Sequence, residues 1–519
     1  MIRSFKVFMK LTQVYQPKCH LRIRRSYSPH PVKLWESAVL LLGRRETMVP
    51  AQESVTSGTA PRSARWFSES LPAAISETLS EPGPLREERM AGLRAFLALP
   101  AEKDPLYKKY AHLVNFDLSE VTPLVKGSSF PQPQAGKREI LVVHDAEGTH
   151  VHWPEGPHPA GVQVQTREDL LQSGADTISQ FLGLGQPKEE KFSAMNLALA
   201  THWLRIVIPD TPARPVRIRE ISVLNGKGQA LAVRRVLHAG RLSRVFHSEE
   251  VYTSAPETSS RLYSSSTSLV AGADSEIVSL TNHTPDGATV SFYNRFLSAH
   301  QNAHIYWLFS GMDGFRTTVR NFSRLEQQGS EVTDLQVFYG DEDQSCSSSI
   351  RVLHDADDTR GQSISRGVFK DKARGIFTGM MRIDPSVKKI FSYLSEHAML
   401  LSKSARAETA PGMEILSSND VKAAHSSSVA PLDAEKVFYL ESRGFPEGEA
   451  LRTIVEGFLA SALAKSPLEG VDQALYQLLD GRWGGHHPTW NGRGETESLL
   501  PGSAAWKEAA DVRIDEKLR

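Results

Sequence analysis

The sequence predicts a mainly β protein in which a long β core lies between two regions that contain helices. Between about residues 215 and 415, short β-type runs such as VRIREISVL, HIYWLFSG and VTDLQVFYG alternate with Gly, Asn, Asp and Ser turns. Helical periods occur before and after this stretch. Such runs indicate a sandwich, a barrel or a β-solenoid, and because they follow no strict repeat, spacing alone leaves all three open.

The region before the core combines helices with one hairpin. Residues 84–99 form an amphipathic helical stripe that consists of Leu85, Met90, Leu93, Phe96 and Leu97. The segment REILVVHDAEGTHVHW alternates apolar and polar residues around a turn, as a β-hairpin does. Thr166, with Asp169 three residues later, predicts a helix N-terminus, and KFSAMNLALATHWLRIVIP predicts a helix that runs into a strand.

The helical period returns at Asp433. Asp433 is suited to cap a helix that ends at Gly444, and Pro446 then opens a second helix. The second helix has one apolar face, made of Leu451, Ile454, Val455, Phe458, Leu459 and Ala462. The predicted domain boundaries are a leader, a mixed helical region, a β core, a C-terminal helical domain and a flexible tail, at 1–83, 84–214, 215–432, 433–484 and 485–519.

Composition excludes several classes of function. The chain has 60 basic and 60 acidic residues among 519, so no basic surface for nucleic acid is expected. Two cysteines are too few for a disulfide framework or a four-thiolate site, which favours a reducing, cytoplasmic setting. No apolar run is long enough to span a membrane. Residues 1–35 contain no acidic residue, which is typical of a transit peptide and would imply an organellar location. The alternative is that translation begins at Met48 and that the preceding residues are not part of the native protein.

Three motifs have both a functional and a structural interpretation. LNGKGQ at 224–229 lacks the spacing of a phosphate-binding loop and is predicted to be a turn. Four histidines surround the hairpin and favour a solvated surface over a metal site: His144, His150, His152 and His158. Asp355, Asp357 and Asp358 are suited to acid and base work in a carbohydrate-active β-solenoid, although aspartates at solenoid corners more often cap turns.

From residue 350 onward the sequence resembles the SufB/SufD family of iron-sulfur cluster assembly proteins. The resemblance rests on IRVLHDADDTRGQSISRGVFKDKARGIFTGMMRID, on MLLSKSARAETAPGMEI, and on NDVKAAHSSSVAPLDAEKVFYLESRGFPEGEALRTIVEGFL. Together with KFSAMNLALATHWLRIVIPDTPARPVRI, it covers roughly residues 85 to 465. It implies a right-handed parallel β-helix core flanked by N-terminal and C-terminal helical regions.

Two departures from the SufB pattern place the sequence nearer to the SufD branch of this family. Ala405 occupies the position of the cluster-building cysteine of SufB-like chains, and Ala424 and Ser426 replace the glutamates that flank the histidine there. SufD relatives commonly have a cysteine two residues before the histidine, where this chain has Ala423. The resemblance therefore leaves His425 as the candidate ligand for iron or for a transient iron-sulfur cluster.

The resemblance also implies partners and a division of labour. This chain would be a non-catalytic scaffold that pairs with a SufB-like subunit through the β-helix and shares the nascent cluster with it. A SufC-like ABC ATPase would bind the nucleotide, so none is expected on this chain. The C-terminal helices would dock that ATPase through Phe438, Tyr439, Arg443, Leu451, Val455 and Phe458.

Overall fold

A computed structural model describes residues 66–108, 117–136, 139–155, 158–185, 188–254, 259–468 and 470–483. The predictions for the leader up to residue 65, including its transit-peptide and Met48 readings, and for the tail lie outside these residues. Eight described helices are α1 to α8, at Leu71–Thr78, Gly83–Ala98, Arg167–Gln172, Ala175–Gly183, Lys191–Leu199, Ala434–Ser442, Glu447–Leu463 and Val471–Trp483.

Nineteen described strands form the body of the protein. In chain order, β1 to β19 are Ile140–His144, Thr149–His152, Gln163–Thr166, His202–Ile208, Val216–Leu224, Ala230–Ala239, Arg244–Thr253, Arg261–Ala271, Glu276–His283, Thr289–Ala299, His304–Gly311, Arg316–Leu325, Glu331–Gly340, Ser345–His354, Arg360–Phe369, Arg374–Ile383, Lys388–Leu400, Arg406–Ile415 and Asn419–Pro431.

The strands wind into a β-solenoid of about eight turns. From β5 onward, the odd-numbered strands form one parallel sheet, here called the odd sheet, and from β4 onward the even-numbered strands form the even sheet. β1 lies next to β5 and β3 next to β4, so these two sheets include the early strands as well. Because side chains alternate across a strand, each strand sends every second residue into the lumen, as the alternating burial of β14 shows.

The sequence prediction of the hairpin and of the flanking helices is confirmed. β1 and β2 are antiparallel, Thr166 and Asp169 form a capping box, and the Asp433 carboxylate accepts a hydrogen bond from the Glu435 backbone N–H. Gly444 follows the helix that Asp433 caps, and its backbone has a positive φ of 93°. Of the predicted stripe on α2, Leu97 is 52 % exposed, whereas Leu85, Leu93 and Phe96 are buried.

Two boundaries differ from the prediction. The predicted leader ends in an ordered helix, since α1 packs against α2 and buries Ile75. The solenoid also begins before residue 215, because β1 and β4 pair in parallel with β5 and β6. The hairpin and the helix-to-strand segment therefore supply the first turn of the core. Among the described helices, none is long and apolar enough to cross a bilayer.

The lumen contains a buried ion-pair network between its apolar layers. Arg235 on β6 contacts Glu220 on β5 at 2.5 Å and Glu249 on β7 at 3.0 Å. The imidazoles of His247 and His144 lie 2.8 and 3.2 Å from Glu220. Burial alone would raise the pKa of Glu249, but buried arginines lower it to about 2. Both carboxylates therefore remain charged inside the solenoid.

The C-terminal helices cover the outer face of the odd sheet. α7 packs against β13 and β15, and its buried residues include Val455 and Leu459. α8 adds Leu475 and Leu478 to the same apolar cluster. The Arg482 guanidinium then reaches Asp313 on the solenoid, with a closest N–O distance of 3.1 Å. These contacts attach the helical region to the middle turns.

Candidate functional site at the open end of the solenoid

Within the described residues, the last turn of the solenoid leaves two strand edges unpaired. Among the described strands, β19 is the final strand of the odd sheet and pairs only with β17, while β18 is the final strand of the even sheet and pairs only with β16. A free strand edge presents a row of backbone N–H and C=O groups to which another chain can add. This end of the solenoid, here called the open end, is formed by β18 and β19.

His425 lies on β19 at the open end. Its register partner on β17 is Leu394, which is fully buried in the lumen. Residues paired in parallel register point to the same side of a sheet, so His425 faces the lumen from the terminal strand. No further turn in the described part of the chain covers it, and its side chain is exposed. The imidazole makes no hydrogen bond within the described part of the chain, so both ring nitrogens are open to a ligand.

The two alanines that the sequence comparison singled out, Ala423 and Ala405, lie at different places in the last turn. Ala423 is on the same strand as His425, two residues away, and its register partner is Ser392. Ala405 comes immediately before β18 and is fully buried. Neither side chain can bind a metal. Within the described residues, no group of three or more His, Cys, Asp or Glu side chains could hold a metal ion. His425 is thus a single donor that needs further ligands.

Glu396 is a buried carboxyl group beneath the open end that the sequence interpretation missed. It lies on β17, two residues after Leu394, and points into the lumen, where it is fully buried. Neither carboxyl oxygen has a hydrogen-bond partner among the described residues. Burial raises its pKa to about 8. The alternation in YLSEHAML was the signal, since it puts Glu396 on the face of Leu394.

The rim of the open end carries three exposed apolar residues. Ile415 at the end of β18 is 47 % exposed, Leu416 is 45 % exposed, and Val429 on β19 is 39 % exposed. Ile415 pairs in register with the fully buried Ile383, so it continues an apolar layer of the lumen out to solvent. An exposed apolar rim beside free strand edges is typical of a protein-protein contact surface.

α6 presents a second exposed apolar surface. None of its residues is buried, Phe438 is 71 % exposed, and Tyr439 is 42 % exposed. The Arg443 guanidinium lies over the Tyr439 ring, 5.1 Å from its centroid. An aromatic pair with an arginine is the composition that dominates binding energy at protein interfaces.

The other predicted docking residues lie on α7 and differ in access. Val455 is 1 % exposed and packs in the apolar cluster that holds α7 on the odd sheet. Phe458 packs against the same cluster, and Leu451 is half-buried. Helix periodicity identified this apolar face, but it did not reveal that the solenoid itself covers much of it. Of the six residues predicted to dock a partner, Phe438, Tyr439 and Arg443 are therefore the exposed ones.

The aspartates of the carbohydrate-active alternative act as turn residues. Asp355 forms an ion pair with Arg324 at 2.8 Å, and an Asp357 oxygen accepts the Lys388 backbone N–H at 3.0 Å. Asp358 has a φ of 57°, which Asp tolerates better than most residues. This arrangement links one solenoid corner to the next turn of the chain. It leaves Asp355 and Asp357 engaged in structural contacts.

The remaining motifs are also structural where the chain is described. LNGKGQ joins β5 to β6, and the Gly226 N–H donates to the Gln229 side chain. His144 is buried against Glu220, whereas His150 and His152 project from β2 into solvent. The His158 ring stacks on Trp153 with a centroid distance of 4.6 Å. The four histidines therefore do not converge on one point.

Comparison with known proteins agrees with this architecture. Residues 222–458 match a family model described as SUF system FeS cluster assembly, SufBD core domain. The iron-sulfur cluster assembly protein SufD of Bacillus subtilis is 24% identical over 422 residues, which cover 78% of this chain and 96% of that protein. The core of this chain therefore belongs to the SufB/SufD family. The matched core-domain segment includes His425 and all of α6.

Further SufB/SufD relatives match over a similar span. An iron-sulfur cluster assembly SufBD family protein of Staphylococcus haemolyticus is 20% identical over 431 residues, covering 79% of this chain and 91% of the relative. A homologous protein of Staphylococcus saprophyticus shows the same identity and coverage. These alignments are longer than residues 222–458, the segment that the core-domain model matches.

Proposed function

We propose that this chain is a non-catalytic scaffold subunit of a SufBCD-type complex that assembles iron-sulfur clusters. In this role it helps a SufB-like partner build the nascent cluster at their interface, and it couples to a SufC-like ATPase. The observation that carries the proposal is the position of His425, which is exposed on a lumen-facing site of a terminal strand with a free edge.

A shared site follows from the chemistry of this position. Neutral imidazole is a good iron ligand, but one nitrogen donor cannot hold a cluster, which needs several ligands. The partner must supply the missing donors, and thiolates suit iron-sulfur clusters best. A partner strand that adds to β18 or β19 would bring such donors close to His425. The nascent cluster is cargo in this scheme, and His425 is one of its ligands.

The apolar rim gives the SufB-like partner a place to dock. A partner that pairs with the free edges would cover Ile415 and Val429 and remove their apolar surface from water. Val429→Lys would place a charge on the lumen-facing side of the edge strand, a device by which proteins block edge pairing. Because Val429 is exposed in this chain alone, the substitution should weaken the pairing and leave the solenoid folded.

The nucleotide in this proposal belongs to the SufC-like partner. The exposed aromatic surface of α6 supports docking of that ATPase, because Phe438 is 71 % and Tyr439 42 % exposed in the described structure. Docking beside α7, which packs on β13 and β15, would link nucleotide-driven movement of the ATPase to the solenoid. This chain would then transmit movement without binding nucleotide itself.

Coexpression of the full chain with SufB-like and SufC-like partners tests the proposal. We expect the three proteins to copurify, Val429→Lys to lose the SufB-like subunit, and the SufC-like subunit to remain bound. Leu97→Lys is a matched control, since it adds the same charge at an exposed leucine on α2. A chain that copurifies with neither partner, or that cleaves glycans in isolation, would refute the scaffold assignment.

A further inference from the structure

The outer face of the last three odd-sheet strands carries a cluster of hydrogen-bonding side chains. Arg366 on β15, His397 on β17 and Ser428 on β19 are register partners and form one row across the sheet. Ser395 and Ser426 form part of the adjacent row. These side chains point away from the lumen, so they lie on the opposite face of the sheet from His425.

The side chains of this cluster are connected by hydrogen bonds. Arg366 Nη1 donates to the Ser365 carbonyl at 2.9 Å and to Ser395 Oγ at 3.1 Å. Ser395 Oγ lies 3.3 Å from Ser426 Oγ, which lies 3.2 Å from His397 Nε2. His397 Nδ1 bonds to Ser428 Oγ. The network holds the guanidinium and the imidazole side by side in fixed orientations.

The cluster contains a cation but no anion. Within the described residues, Arg366 takes part in no ion pair, and its Nε and Nη2 make no hydrogen bond. Burial lowers the pKa of Arg366 to about 10, so the guanidinium still carries its charge at neutral pH. Arg360, on the same strand and face, shows the ordinary arrangement, because it pairs with Glu331 at 3.3 Å.

Internal contacts compensate the Arg366 charge only in part. The Phe458 ring of α7 lies 6.0 Å from the guanidinium carbon, at the outer limit of a cation-π contact. The contacts to serine and to a carbonyl are dipolar, and half-burial reduces the solvation of the charge. A half-buried guanidinium fork with one anchored nitrogen and two open ones is preorganised to bind an oxyanion bidentately.

The surrounding donors favour a tetrahedral ligand. Burial and the nearby guanidinium lower the pKa of His397 to about 4, so the ring is neutral, and its two nitrogens orient the hydroxyl groups of Ser426 and Ser428. The hydroxyl groups of Ser426 and Ser428 can rotate to donate, and Tyr393 Oη lies 3.5 Å from Ser426 Oγ. A planar carboxylate offers two oxygens, whereas a phosphate group offers three or four in different directions.

We infer that the outer face of β15, β17 and β19 binds a tetrahedral oxyanion of the phosphate class, held by the Arg366 fork and by the hydroxyl groups of Ser426 and Ser428. The site is independent of any cluster ligation by His425, because the two lie on opposite faces of the sheet. Free phosphate and the terminal phosphate of a phosphorylated small molecule share the required chemistry.

Calorimetric titration of the full-length chain with inorganic phosphate tests the site. We expect saturable binding that weakens about tenfold or more in Arg366→Gln, because charge-assisted hydrogen bonds are lost. Arg366→Lys keeps the positive charge but lacks the guanidinium fork, so its phosphate affinity should lie between those of the unmodified chain and Arg366→Gln. Arg360→Gln is the matched control, since its guanidinium already has a carboxylate partner, and it should bind phosphate like the unmodified chain.

Two further measurements keep the test decisive. The His397 imidazole resonances should shift on addition of phosphate in the unmodified chain and in Arg360→Gln, but not in Arg366→Gln. Thermal unfolding checks that each variant is folded. A titration with glucose 6-phosphate shows whether the site binds a phosphorylated small molecule more tightly than free phosphate. No saturable phosphate binding up to about 10 mM, unchanged binding in Arg366→Gln, or equal binding of acetate would overturn the inference.

Discussion

Replacing Glu396 by glutamine should remove a large pH-dependent loss of stability. The Glu396 carboxyl is fully buried, and its pKa rises from the usual 4.5 to about 8 in the folded chain. Below pH 4.5 the group is protonated in both states and has no effect. Between pH 4.5 and 8 it ionises in the unfolded chain only, so the free energy of unfolding falls as the pH rises.

The size of the effect follows from the two pKa values. Each pH unit in this interval corresponds to about 1.4 kcal/mol, so the change between pH 5 and pH 8 reaches at most about 4 kcal/mol. Relaxation of the open end on ionisation reduces this, and we expect about 2 to 4 kcal/mol. Glutamine has nearly the same size and does not ionise, so its own burial cost is the same at both pH values.

Urea unfolding at pH 5 and at pH 8, followed by tryptophan fluorescence, measures the effect. The free energy of unfolding of Glu396→Gln minus that of the unmodified chain should be larger at pH 8 than at pH 5. Glu408→Gln is the control, because Glu408 is exposed on β18 and its carboxylate is solvated in both states. The reasoning fails if the stability difference between Glu396→Gln and the unmodified chain is equal at the two pH values.

Three further substitutions test other parts of the fold. Arg235→Met leaves two buried carboxylates without their cation and should lower the free energy of unfolding, measured in urea, by about 3 to 5 kcal/mol. The control Arg244→Met removes an exposed ion pair and should lower it by less than about 1 kcal/mol. Leu459→Ala creates a cavity under α7 and should lower the free energy of unfolding by about 2 to 5 kcal/mol. Proteolysis of the C-terminal helices should therefore be faster, and an unchanged cleavage rate would contradict the packing of α7. Phe438→Ala should weaken binding of a SufC-like ATPase by about tenfold or more in a pull-down titration, with no change in the thermal midpoint, because this ring is 71 % exposed. Equal ATPase binding by Phe438→Ala and by the Leu97→Ala control would contradict docking at α6.

Short-range signals in the sequence predicted the elements but not the way the chain closes into turns. The hairpin and the Asp433 cap depend on neighbouring residues, so alternation and capping rules identified them. The choice of a solenoid over a sandwich or a barrel depends on pairing between strands about 30 residues apart, such as Ser345 with Arg374. The β runs have no strict repeat, so only the family resemblance predicted that pairing.

The candidate site was predictable to a similar extent. Motif similarity identified His425, but its place at a free edge follows from where the last turn ends. Glu396 and Arg366 have no motif of their own, and their properties come from burial by other strands and by α7. Helix periodicity could not separate Val455, which the odd sheet covers, from Phe438, which it leaves exposed.

The cluster yield of the coexpressed complex tests the role of His425 most directly. His425→Ala should leave the three-protein complex intact and lower its bound iron and sulfide by about tenfold or more. His152→Ala is the matched control, since His152 is also exposed on a strand of the odd sheet but at its opposite edge. An intact complex with undiminished iron and sulfide in His425→Ala would contradict the proposal that this histidine is a cluster ligand.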